Sequence, residues 1–182
     1  MAGGGMSETA GAAEPKFNFV RKLIEYWALL GGVLLLGVVL VTAWSLFRDI
    51  VWSQPVTGEN EIVQVGIAVA VFSFLPYCQL TGANISADIF TARLGARVIA
   101  LLTLLGAAVA LVFACILVWR TWAGLFDYRE YLETTPIMQF PIWMAFIPIL
   151  ISIVLLVLAS AISIYEAIDD FRTGRERAPM LH

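Results

Sequence analysis

A chain of 182 residues that is 60% hydrophobic, 14% charged and +0.87 in mean hydropathy has too little polar surface to close as a water-soluble globule. Its formal net charge of -3 gathers in no strong cluster, so nucleic acid is not an expected partner and acidic or basic substrates meet no funnel. The charges are absent from four long runs, 26–47, 62–87, 98–119 and 134–165, which contain no Asp, Glu, Lys or Arg. A run of about 22 residues makes a helix of about 33 Å, enough to cross a hydrocarbon core of about 30 Å. Strands are excluded as spanning elements, because membrane barrels alternate apolar and polar residues and these runs are apolar on every side. The fold class is all-α, a polytopic membrane protein with four transmembrane helices.

In chain order, residues 1–15 are rich in Gly, Ala, Ser and Glu without hydrophobic periodicity and read as a disordered tail. Lys16, Arg21 and Lys22 then precede the first span, 26–47, in the manner of a signal peptide. The apolar run is longer than a signal h-region, so a retained anchor is expected. The second span, 62–83, is opened by Glu59 and Glu61, where acidic side chains complement a helix N-terminus. After it, Ile85, Ile89, Phe90 and Leu94 recur at roughly helical spacing opposite Ser86, Asp88 and Arg93, which predicts a short interfacial helix. The third span is 98–119. Beyond it Trp122, Leu125, Phe126, Tyr128, Tyr131 and Leu132 mix with charged residues, so this connection also reads as interfacial, and as helical up to Thr134-Thr135-Pro136. The fourth span, 139–165, ends the membrane domain of 16–172, and 173–182 form a second tail.

Eight of the eleven Lys and Arg residues fall on the side of the two termini and three on the other, so the positive-inside rule puts both termini in the cytoplasm. Trp44, Trp52, Trp119, Trp122 and Trp143 cluster at the opposite ends of the spans, where indole rings anchor helices at the headgroup layer; Trp27 alone lies at an inner end.

Catalytic chemistry has little to stand on. No metal motif, nucleophile motif, phosphate loop or carboxylate dyad is present. Cys78 and Cys115 lie in different runs and read as packing residues, and the one histidine, His182, is ill placed as a haem ligand. No cofactor, metal or catalytic residue is expected. Gln64, Ser73, Gln79, Thr103, Ser152, Ser160 and Ser163 are the polar groups of the spans. Hydroxyls there commonly bond back to a carbonyl or to a neighbouring helix, so structural roles are expected of them. Pro76 and Pro148 leave the carbonyls of Phe72 and Met144 without their usual donors. Small residues recur every four positions at Gly66 and Ala70, at Gly106, Ala110 and Ala114, and at Ala159, Ser163 and Ala167, which permits close helix approach. Glu25 near Arg21, and Glu166, Asp169 and Asp170 near Arg172, read as solvated pairs.

Four spans with inner termini, the acidic opening Gly58-Glu59-Asn60-Glu61 and the stretch from Leu80 through Thr81, Gly82, Ala83, Asn84, Ile85, Ser86 and Ala87 to Asp88 make a recognisable pattern. Over about 16–172 the chain resembles the DctQ-like small permease of the tripartite ATP-independent periplasmic (TRAP) transporters. The family's stretch has a His after a small residue; here Asn84 stands in its place, while Ile85 and Asp88 match. The resemblance implies a non-catalytic scaffold subunit in a bacterial inner membrane. Its partners would be a large permease subunit driven by a cation gradient, a periplasmic binding protein that delivers an organic acid or similar solute, and membrane lipid. It also implies assembly roles for Glu61, Asn84 and Asp88. Rival readings are the small subunit of a tripartite tricarboxylate transporter, an oxidoreductase anchor, which the lack of internal His opposes, and a small oligomeric channel, which lacks a polar stripe.

Overall fold

A chain in lipid must satisfy its backbone internally, and the charge-free runs do so as helices. The computed structural model describes residues 17–54, 56–81 and 96–173, in which four α-helices run up and down: α1 (Asn18–Trp52), α2 (Glu59–Leu80), α3 (Ala96–Glu130) and α4 (Trp143–Thr173). All four are long and apolar enough to cross a membrane. The short helix expected around Ile85 to Leu94 lies outside the described residues, as do both tails. α2 and α4 continue without interruption through Pro76 and Pro148. α3 stops at Glu130, short of the Thr134-Thr135-Pro136 boundary expected from the sequence. The chain turns there through Leu132, whose φ of 48° is left-handed and incompatible with a continuing helix.

The helices form an open row rather than a closed bundle. α2 packs between α1 and α4, α4 packs between α2 and α3, and the two outer helices α1 and α3 do not pack on each other. The position shows in the burial: 39% of the apolar window of α4 is buried, against 11% of that of α3. α4 is therefore the axis of the molecule, and most of the apolar surface of α1 and α3 stays uncovered.

A seven-residue repeat joins α1 to α2. Ile24, Gly31, Val38 and Ser45 are the buried positions of α1 at that spacing, together with Ala28. They face Leu80, Ser73, Gly66 and Glu59 of the antiparallel α2. Leu80 packs on the cluster of Ile24, Leu155 and Ala159; Ser73 Cβ stands 2.6 Å from where a Cβ on Gly31 would be; a Val38 methyl occupies the place of a Gly66 Cβ; and the Ser45 hydroxyl donates to Glu59. A strict repeat of seven keeps one stripe on the partner as the pair winds left-handed, and the two glycines are the holes for the facing residues. The expected small-residue pair Gly66 and Ala70 thus serves packing within the chain, both residues being buried against α1.

At the end where the chain termini lie, α1 reaches past α2 to α4. The Trp27 indole N–H donates to Ser152 Oγ at 2.8 Å, Arg21 pairs with Glu166, and the rings of Phe17 and Tyr165 lie 5.7 Å apart. Trp27 therefore ties two helices together. Arg21 takes a partner across the bundle instead of the local Glu25, because it lies on the buried stripe that continues into Ile24, whereas Glu25 points outward. Ser73, Ser152 and Ser163 each donate to the carbonyl four residues earlier, and Ser163 also approaches the Gln79 carbonyl at 3.5 Å.

Candidate functional site

The polar groups converge at the opposite end, where the α1–α2 and α3–α4 connections meet. α1 ends in a left-handed cap at Ser53, whose N–H returns to the Asp49 carbonyl at 2.8 Å. The chain then descends to Gly58, the N-cap of α2, at φ 80°. Buried Ser45, a full turn and more before the helix ends, holds the turn closed: its Oγ accepts from Val56 N–H at 3.1 Å while its hydroxyl donates to Glu59. Glu59 is thereby committed to an interhelical bond.

Glu61 reaches the other connection. Its two carboxylate oxygens accept from the backbone N–H groups of Ile137 and Met138 at 2.8 and 2.9 Å, and the Thr135 side chain is a third hydrogen-bonding neighbour. The segment it grips is a self-closed loop. Thr135 N–H donates to Phe140 O at 2.9 Å, Phe140 N–H to Thr135 Oγ1 at 3.0 Å, Gln139 N–H to Thr135 O at 3.1 Å and Ile142 N–H to Glu133 O at 3.1 Å. Two successive amides aimed at one carboxylate match its two oxygens, and a charged acceptor makes such bonds stronger than neutral ones. Gly58 completes the seat. A Cβ there would stand 2.5 Å from Met138 Cγ, and its left-handed backbone disfavours any other residue. The loop rests directly on the N-terminus of α2.

Of the residues singled out from the sequence, Glu61 stands in this junction, while Asn84 and Asp88 lie outside the described residues. Trp44, Trp52, Trp119 and Trp122 are exposed on the connection half of α1 and α3, and half-buried Trp143 opens α4. Aromatic neighbours extend them: Trp44 stacks on Phe47 at 5.8 Å, Phe47 meets Trp52 edge-on at 6.2 Å, and Trp122 meets Phe126 at 5.3 Å. Sequence reasoning placed Gly58 in the acidic opening and Thr135 at a helix boundary but foresaw no contact for either, nor for Ser45 or Met138. The seven-residue repeat ending at Ser45, and a glycine just before an acidic helix start, were the available signals. Nothing local marks Met138.

Chemically the junction accepts and donates hydrogen bonds within the protein, with both acidic side chains already engaged. Among the described residues no group of three or more His, Cys, Asp or Glu is placed to hold a metal ion.

Four apolar helices in an open row, joined at one end by a hydrogen-bonded junction, define a multi-pass membrane protein. The chain belongs to the DctQ component family of the tripartite ATP-independent periplasmic transporters, whose family model matches residues 37–170. That range takes in the junction and all of α2, α3 and the α3–α4 loop, and the family is a transporter component rather than an enzyme family. No curated protein and no solved structure matches the chain.

Proposed function

We propose that this chain is the scaffold and assembly subunit of a TRAP secondary transporter in a bacterial inner membrane, with both termini in the cytoplasm. It works beside a large permease that imports an organic acid or related solute on a cation gradient, and a periplasmic binding protein that docks transiently. The observation that carries this reading is the open row. α1 and α3 leave wide apolar faces, with Leu29, Val33, Leu36 and Leu40 on one and Leu105, Val109, Val112 and Ile116 on the other all at least half exposed, and a membrane partner can lie along either. Glu61, Asn84 and Asp88 act in assembly, Glu61 by holding the α3–α4 loop in shape, and the five tryptophans at the connection end anchor the subunit at the headgroup layer.

Solubilisation in mild detergent, with the tag on this chain, tests the reading. The expected result is recovery with a large many-span membrane protein in fixed ratio. A stable homo-oligomer that transports solute without such a partner would overturn it. Reporter fusions at the two termini test the orientation, which fails if either reports from the periplasmic side.

A further inference from the structure

The α3–α4 loop is seated on α2 by a side chain as well as by hydrogen bonds, and that side chain is a thioether. Met138 lies over Gly58 at the N-terminus of α2, with Cγ 2.5 Å and Sδ 3.1 Å from where a Cβ on that glycine would be. The sulfur thus rests against backbone, in a space that exists only because residue 58 has no side chain. Ile137 Cγ2, at 3.6 Å from the same point, flanks it. Met138 is nevertheless 51% exposed, and its loop neighbours Pro136, Ile137 and Gln139 are exposed as well. A small water-soluble reagent can approach this side chain from its open side.

The loop's bonds fall into two sets. Thr135 N–H to Phe140 O, Gln139 N–H to Thr135 O and Ile142 N–H to Glu133 O hold the loop's own shape. The bonds that dock it on α2 centre on residues 137 and 138, whose N–H groups donate to the two oxygens of Glu61 at 2.8 and 2.9 Å. Met138 therefore supplies both an amide and a side chain to the docking set and neither to the internal one. The other methionine among the described residues, Met144, is 42% exposed in the first turn of α4 and serves as the comparison.

We propose that Met138 is an oxidation site for peroxides, and that its conversion to the sulfoxide lifts the α3–α4 loop from the N-terminus of α2. The sulfur lone pair attacks one oxygen of the peroxide as the O–O bond breaks. Sulfur gives up two electrons and gains the S–O bond, one proton passes to the departing oxygen, and hydrogen peroxide leaves as water. The atom that rested on Gly58 then carries a polar oxygen that seeks hydrogen-bond donors. The Glu61 carboxylate that holds the same residue's amide is an acceptor and offers none. Turning the oxygen to water draws the sulfur off the glycine and strains the two amide bonds beside it. Sulfoxide reductases reverse the step, so the loop has a seated and a released form.

Residue-resolved amide exchange on the full chain in mild detergent, before and after hydrogen peroxide, tests this, with the free thiols removed as Cys78→Ala and Cys115→Ala. Mass spectrometry should find the added oxygen on Met138. The amides of Ile137 and Met138 should then exchange several-fold faster, while those of Thr135, Gln139 and Ile142, bonded within the loop, keep their rates. Treatment with methionine sulfoxide reductases should restore slow exchange. Met138→Leu should stay seated and ignore peroxide, Met138→Gln should exchange fast without it, and Met144→Leu should respond as the parent does. Met138 left intact while added free methionine is consumed would overturn the oxidation site. Sulfoxide at 138 with unchanged exchange, or a rise that persists in Met138→Leu or spreads equally to residues 135, 139 and 142, would overturn the release.

Discussion

At the residue scale, Glu61 and Gly58 divide one task. Glu61 supplies a charged acceptor for two adjacent loop amides, and Gly58 supplies a backbone conformation and an empty space for Met138. Glu61→Gln keeps one good acceptor and loses the second, so the amides of Ile137 and Met138 should exchange with solvent deuterium faster while the interior of α2 keeps its protection. Glu61→Ala should speed both further. Gly58→Ala forces a side chain into left-handed backbone, at about 1–2 kcal/mol, and adds a clash with Met138 Cγ. Unfolding by sodium dodecyl sulfate in mixed micelles, followed by circular dichroism, should show that loss, and Met138→Ala should restore only the part due to the clash.

At the element scale, glycine has opposite meanings along the same helix. Gly66 on α2 receives a Val38 methyl and Gly31 on α1 receives Ser73, whereas a Cβ on Gly37 would meet nothing within 4 Å. Gly66→Ala should therefore force α1 away from α2 and destabilise by about 1–3 kcal/mol, in the range of overpacked cores, with Val38→Ala compensating. Gly37→Ala should be neutral or should stabilise by up to about 1 kcal/mol through helix propensity alone. A micelle unfolding series separates the two. Val38, the residue that fills the space at Gly66, lies on the seven-residue stripe of α1, and Gly37 does not. That stripe is visible in the sequence, but so are several others, and only the facing residues of α2 tell which one is buried.

At the scale of the whole molecule, α1 is joined to the rest mostly through α2, with a few ties to α4 at the terminal end. Arg21 and Glu166 are each 24% exposed, so their pairing is partly screened. A double-mutant cycle with Arg21→Leu and Glu166→Gln should give a coupling of about 1 kcal/mol or less, falling with added salt. A row that exposes Leu, Ile and Val over both outer helices suits lipid or a membrane neighbour equally well in composition, since lipid tails are as apolar as those side chains. Association there depends on close fit and on the few polar groups, which is why the junction at Glu61 matters beyond its size.

The four spans, the all-α class and the family pattern were legible in the sequence because they depend on where charges are absent and on short local strings. Lipid solvates no charge or bare backbone well, so a charge-free run of about 20 residues already commits the chain to a spanning helix. The partner of each polar residue was not legible. Glu61 was readable as a helix-start acid, yet its grip on amides 76 and 77 positions away follows from how α2 and α4 pack. Arg21 could choose Glu25 by spacing and chooses Glu166 by burial. The run 98–119 looked like the other three, and that its helix packs chiefly on α4, with Gly124 against Phe146, is seen only in the fold. Hydrophobicity along the chain determines that a helix crosses the membrane; which of its faces is covered, and which surface it leaves open, are decided by contacts between helices.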